Sequence, residues 1–137
     1  MSNDIKHEAQ RIIAEGDVGT LIDAAKRVGS QLAPTLTTSQ IRNIFGEVRR
    51  IQMTWSATTD VEEARGAFRS VVLLQPKLAY QANRDNKSRG VKDLQTILDP
   101  CLDLIRTAEE PKRLLYFQRF VDYFEAILAY HKAAGGN

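Results

Sequence analysis

The fold of this chain is decided by the stretch LLYFQRFVDYFEAILAYHK, residues 114–132. Its apolar residues recur at spacings of three and four, which predicts an α-helix. One side is a broad apolar face made of Leu114, Phe117, Phe120, Val121, Phe124, Ile127 and Leu128. The other side alternates cations and tyrosines: Lys112, Tyr116, Arg119, Tyr123, Ala126 and Tyr130. That second side suits base stacking with phosphate contact, a subunit interface, or burial at the centre of a bundle. The pattern favours burial or subunit contact.

The same helical period runs through most of the chain, and β-type alternation is rare. The sequence therefore predicts an all-α fold, a single compact helical bundle of about five to seven helices. Caps are expected at Asp17, at Thr37 or Thr38, and at Thr59 or Asp60, and a kink at Pro100. The core stripes of the second, third and fourth helices are predicted as Leu21, Ile22, Ala25, Val28 and Leu32, then Ile41, Ile44, Phe45, Val48, Ile51 and Trp55, then Val61, Ala64, Phe68, Val71 and Val72.

Length and composition limit the class of protein. At 137 residues, with 43% hydrophobic and 26% charged residues, the chain fits one globular domain spanning residues 1–137. No run approaches the roughly 18 apolar residues of a membrane span, and the first residues lack the apolar core of a secretory signal. Cys101 is the single cysteine, which fits a reducing compartment. A cytoplasmic protein without membrane contact is expected.

Positive charge is concentrated in the middle of the chain. The net charge is only +2, but residues 42–92 hold ten Lys and Arg against five Asp and Glu. A basic region on an otherwise mildly acidic chain indicates an electrostatic footprint for a polyanion.

The segment PKLAYQANRDNKSRGVK, residues 76–92, is the strongest candidate for this footprint. Lys77 and Arg84 are seven apart and share a helix face with Tyr80 between them, while Lys87 and Arg89 follow on a polar loop. Several cations on one track suit phosphate binding, and an aromatic between them can stack on a base. The alternative is an ordinary solvated turn with Tyr80 in the core.

A second candidate lies on the third helix, where Arg42 and Arg49 are also seven apart and Gly46 sits near their line. Glycine inside a helix costs about 1 kcal/mol relative to alanine, so it needs a reason. Close approach of a nucleic-acid backbone and tight helix packing are equally good reasons. We expect the cations of the third helix, the Pro76 segment and the last helix to converge in space.

No arrangement of residues indicates catalysis. His7 and His131 lie near opposite ends, no Cys/His cluster has metal-ligand spacing, and no phosphate-binding glycine loop is present. The sequence therefore predicts no enzyme activity, no metal and no cofactor.

Three stretches together resemble a known family: LTTSQIRNIFGEVRRI at 36–51, LLQPKLAYQANR at 73–84, and LLYFQRFVDYFEAILAYHK at 114–132. In this order and spacing they are similar to the small helical subunit of type III-A CRISPR effector complexes, the Csm complex. The resemblance covers residues 36–132. It leaves 1–35 as N-terminal helices of unassigned role and 133–137 as an expected flexible tail.

The resemblance implies an all-α subunit without nuclease activity. Several copies would stack head to tail into a short filament along the crRNA and target RNA, contacting RNA backbone without reading sequence. They would bridge the large signature subunit and the backbone subunits in antiviral defence. On this chain the implied RNA-facing residues are Arg42, Arg49, Lys77, Tyr80, Arg84 and Arg119; Lys87 and Arg89 are added from the charge pattern alone. The alternative is a helical protein–protein adaptor with no direct nucleic-acid role.

Overall fold

The computed structural model describes residues 2–84 and 89–136, and every regular element in those ranges is a helix. The all-α prediction is confirmed. The elements, in chain order, are α1 (Ser2–Ala9), a π-helical turn (Gln10–Ala14), α2 (Val18–Leu32), α3 (Thr38–Ala57), α4 (Val61–Val72), α5 (Leu74–Arg84), α6 (Gly90–Thr107), a 3₁₀ turn (Glu110–Lys112) and α7 (Arg113–Ala133).

Short polar side chains fix where three of the helices begin, as the sequence predicted. The Asp17 carboxylate accepts from the backbone N–H of Thr20 at 3.1 Å and starts α2. Thr37 and Gln40 form a reciprocal capping box at α3, and Asp60 accepts from the N–H of Glu63 at α4. Each cap satisfies a backbone donor that a helix start leaves open.

The helix breaks at Leu73, between α4 and α5 and just before Pro76, and α5 and α6 each contain a proline. α5 begins at Leu74, so Pro76 lies in its first turn, where a missing N–H breaks no internal hydrogen bond. α6 continues through Pro100 from Gly90 to Thr107. One unbroken helix therefore carries the whole span from Lys77 to Arg84.

α7 is the central helix, because it packs against α2, α3 and α6. Its buried residues lie on more than one side: Phe117, Phe120, Val121, Tyr123, Phe124, Ile127 and His131. Tyr123, from the predicted cation and tyrosine side, is only 2% exposed, and burial raises the pKa of its phenol. Burial at the centre therefore accounts for Tyr123, whereas Tyr116, Arg119 and Tyr130 on the same side are half-buried.

Aromatic rings join α7 to α3. Trp55 stacks on Phe117 with ring centroids 5.5 Å apart, and Phe45 meets Phe124 edge to face at 5.2 Å. Such pairs contribute about 0.5–1.5 kcal/mol each beyond the apolar area that they bury. α3 is therefore held in a defined position along α7.

The prediction of a core position is wrong for two residues, because Ile22 is 42% exposed and Val61 is 60% exposed. On α2 the buried face is centred on Ala24 and Ala25, whose small side chains bring the α2 backbone close to α7 and turn Ile22 outward. Val61 opens the first turn of α4, beyond the core that Ala67 and Val71 reach.

The end of α7 is tied to the start of α3. His131 is fully buried and its Nε2 lies 2.5 Å from the backbone oxygen of Leu36, so Nε2 carries the donated proton. Beyond it, the Thr38 hydroxyl donates to the oxygen of Gly136 at 3.2 Å. Part of the expected tail thus packs on the bundle.

Two helical glycines serve different purposes. A Cβ on Gly29 would lie 2.7 Å from the backbone nitrogen of His131 and 2.7 Å from the Tyr130 Cβ, so glycine is needed where α2 crosses α7. A Cβ on Gly46 would meet nothing within 4 Å. Tight packing inside this chain therefore does not explain Gly46.

This contrast gives a matched pair of stability predictions. Gly29→Ala should lower the free energy of unfolding by about 1–3 kcal/mol, because the methyl group must displace backbone atoms. Gly46→Ala should raise it by about 1 kcal/mol, because alanine favours an exposed helix. Urea denaturation followed by circular dichroism measures both. Equal stability of the two variants would contradict the described α2–α7 crossing.

Candidate nucleic-acid interface

Lys77, Tyr80 and Arg84 lie on one exposed face of α5. The helix is continuous from Leu74 to Arg84, so residues three and seven apart project in similar directions. Tyr80 is 65% exposed, which excludes the alternative that it belongs to the core. The predicted arrangement of an aromatic ring between two cations is therefore present on the surface.

A groove runs between α3 and α5 beside this face, and we call it the α3–α5 groove. It consists of two adjoining cavities of about 240 and 120 Å³ that share Asn43, Ile44 and Gln81. Buried apolar side chains of Ile44, Leu74, Leu78 and Val91 line it. Polar side chains complete both walls: Gln40, Asn43 and Glu47 from α3, and Lys77, Gln81 and Arg84 from α5.

One end of the groove holds a shared carboxylate. Lys77 Nζ lies 3.1 Å from Glu47 Oε1, and Glu47 also pairs with Arg50 on its own helix. All three side chains are partly exposed, and exposed ion pairs contribute only about 0–1 kcal/mol. Two cations around one carboxylate leave a net positive charge, so an incoming phosphate can compete for Lys77 at small cost.

The other end of the groove lies between Arg84 and the start of α6, where Val91 lines the wall. Arg84 forms no ion pair with any described residue. Arg89, just before α6, pairs with Asp93 at 3.7 Å across an exposed turn. The positive end of the α6 dipole adds to the potential of Arg84, so this end also favours an anion. Lys87, the remaining cation predicted here, lies outside the described residues.

Arg42 and Arg49 lie on the opposite flank of α3. Arg49 approaches Glu125 of α7 at 3.8 Å, whereas Glu47, two residues earlier, reaches across to Lys77 of α5. Two residues correspond to about 200° around a helix, so these contacts point to opposite sides. Arg42 is exposed and, being seven residues before Arg49, shares its side. The third helix thus separates two of the predicted cation groups.

Arg119 occupies a third place and is used within the fold. Its Nη1 donates to the backbone oxygens of Ile13 at 2.9 Å and Ala14 at 3.1 Å, beside Gly16, whose φ of +69° ends the N-terminal helical segment. Its guanidinium also lies 6.0 Å from the Tyr116 ring. These contacts cap the π-helical turn from the last helix. The expected convergence of all three cation groups is therefore not found.

The sequence analysis did not identify Asn43, Glu47 or Gln81 as groove residues. Their spacings along α3 and α5 are visible in the sequence. Uncharged amides such as Asn43 and Gln81, however, do not indicate a binding site until the two helices are known to face each other. The adjacency of α3 and α5 was the missing information.

The single cysteine, Cys101, is buried inside the bundle. Burial raises the pKa of the Cys101 thiol to about 12. Within residues 2–84 and 89–136, no three His, Cys, Asp or Glu side chains come together as a metal site. None of the helices described here is long and apolar enough to span a membrane.

Together, the bundle and its groove define a small helical protein with a basic, amide-lined surface. The family described as Csm2 Type III-A matches residues 15–137, so the chain belongs to that family and is a small subunit of a type III-A CRISPR Csm complex. The predicted resemblance is confirmed, and the match starts well before Leu36, where the resemblance in sequence began. No curated protein and no solved structure gives a significant match.

The contacts of Arg119 predict a structural effect of its removal. Arg119→Ala should lower the free energy of unfolding by about 1–2 kcal/mol, because two backbone oxygens lose a charged donor. Arg106→Ala, which removes only an exposed pair with Asp103, is the matched control and should change it by less than about 0.5 kcal/mol. Thermal and urea denaturation measure both. Similar effects of the two substitutions would contradict the capping role.

Proposed function

We propose that this chain is a non-catalytic RNA-binding subunit, of which several copies stack along the crRNA and its target RNA within the Csm complex in antiviral defence. The proposal joins membership of the family to the physical character of the α3–α5 groove. In it the chain holds RNA in place, and the cleavage chemistry belongs to other subunits.

The observation that carries the proposal is the exposed face of α5. Lys77, Tyr80 and Arg84 stand on one rigid helix, at a groove whose two ends are positive. Lysine and arginine side chains offer only hydrogen-bond donors, and phosphate oxygens are acceptors. Contacts of this kind hold a backbone regardless of base sequence, which suits a subunit that must accept any guide.

The stacking of several copies along one RNA explains how a few cations per copy suffice for binding. Two or three phosphate contacts give weak binding at physiological salt. Copies held side by side on one strand make the later contacts effectively intramolecular, so their affinities combine. An isolated copy should then bind RNA poorly, and the assembled complex should bind it well.

Arg42 and Arg49 remain proposed RNA contacts, but of a separate surface. Gly46 lies on this flank, with open space where a side chain would start. Exposed cations beside a glycine allow a backbone to approach closely. This flank would meet a different part of the polynucleotide from the α3–α5 groove.

The proposal predicts the effect of reversing the charge on α5. Lys77→Glu with Arg84→Glu should weaken the binding of target RNA by the assembled complex, equally for all target sequences. The slope of log affinity against log salt should fall by about 1.4, because each lost single-strand phosphate contact removes about 0.7. Filter binding over a range of salt concentrations measures both quantities.

The matched control is Lys26→Glu with Lys112→Glu, which changes the same charge at exposed positions on α2 and before α7. It should leave the salt slope unchanged. If the α5 variant behaves like this control, α5 does not contact phosphate. If the α5 variant also fails to join the Csm complex, the alternative of a protein–protein adaptor is favoured instead.

A further inference from the structure

We propose that Asn43 and Gln81 recognise the ribose 2′-hydroxyl, so that the α3–α5 groove prefers RNA to single-stranded DNA. This inference rests on the proposed function, since it names which nucleic acid the same groove selects. It depends on the position of two amides, whereas phosphate binding depends on the cations.

Polar residues of α3 and α5 face each other across the groove. One cavity is lined by Asn43 and Glu47 of α3 opposite Lys77 and Gln81 of α5. The other is lined by Gln40 and Asn43 opposite Gln81 and Arg84. Because Asn43 and Gln81 belong to both cavities, the two amides flank the midpoint of the groove. The cations of α5 stand at its two ends.

The spacing along α5 separates the amide from both cations. At a rise of 1.5 Å per residue, Gln81 lies about 6 Å along the axis from Lys77 and about 4.5 Å from Arg84. A strand that gives its phosphates to these two cations therefore passes its sugar between them. The amides are the polar groups at that point.

Amides are chemically suited to this position. A 2′-hydroxyl both donates and accepts a hydrogen bond, and it is the group by which a protein distinguishes RNA from DNA. An asparagine or glutamine amide also offers both a donor and an acceptor, unlike lysine or arginine. Within residues 2–84 and 89–136, no side-chain hydrogen bond joins either amide to another residue, so a ligand could bind both without breaking a contact in those ranges.

The test compares two oligonucleotides that differ only in the sugar. Fluorescence anisotropy of labelled oligouridine and oligodeoxyuridine, about 15 nucleotides each, is measured with the full chain at low salt. We expect the wild type to bind the RNA about three- to tenfold more tightly. Asn43→Ala with Gln81→Ala should remove this preference by weakening RNA binding, with the affinity for the deoxy strand and the salt slope unchanged.

Matched amides outside the groove provide the control. Gln52→Ala with Asn83→Ala removes the same residue types from α3 and α5 at positions about 180–200° around each helix from Asn43 and Gln81, and should keep the preference. Circular dichroism checks that both variants fold.

Each other outcome overturns a specific statement. Equal affinity of the wild type for the two strands, or a preference that survives Asn43→Ala with Gln81→Ala, overturns ribose recognition alone. Absence of binding to both strands, even in the assembled complex, overturns the proposed function and the ribose inference with it. Loss of binding to both strands in the amide variant would show that the amides hold the backbone rather than the sugar.

Discussion

The contact between α3 and α7 is the constraint on which the remaining surface depends. Rings of Phe45 and Trp55 on α3 pack against Phe124 and Phe117 on α7, and this fixes α3 both along and around its axis. Once α3 is fixed, the side of the helix from which each of its polar side chains projects is also fixed. Glu47 must face α5, and Arg49 must face the α7 side. The aromatic core therefore decides which charged side chains share a surface.

This constraint also shows which features were predictable from sequence. Helix caps at Asp17 and Asp60 and the buried stripe from Ile41 to Trp55 depend on residues close in the chain, and they were predicted correctly. The face that joins Lys77, Tyr80 and Arg84 is equally local. Which helices pack together depends on small differences in side-chain volume, such as alanines on α2 turning Ile22 outward. The separation of the cation groups followed from that packing, and no spacing in the sequence encoded it.

Arg119 illustrates the same limit for single residues. In sequence it is a cation among tyrosines on the last helix, which resembles a site for stacking and phosphate contact. In the fold it lies next to backbone oxygens 105 and 106 residues earlier in the chain. A buried or half-buried backbone oxygen needs a donor, and the guanidinium provides one. A cation of this kind supports the fold, and only knowledge of the fold distinguishes it from one that awaits a ligand.

Glu47 gives the groove a property that cations alone would not. Under the proposed function, Lys77 exchanges the Glu47 carboxylate, 3.1 Å away, for a phosphate, whereas a lysine without an ion-pair partner would lose no such contact. Isolated anions gain little from that exchange, because the lost pair offsets part of the new contact. Under the proposed function, a strand that also contacts Arg84 and neighbouring copies gains several contacts at once, so the small cost of the exchange is offset more fully than for a single phosphate. If the proposed function holds, the carboxylate therefore weakens the binding of a small anion proportionally more than the binding of a long RNA that meets several copies.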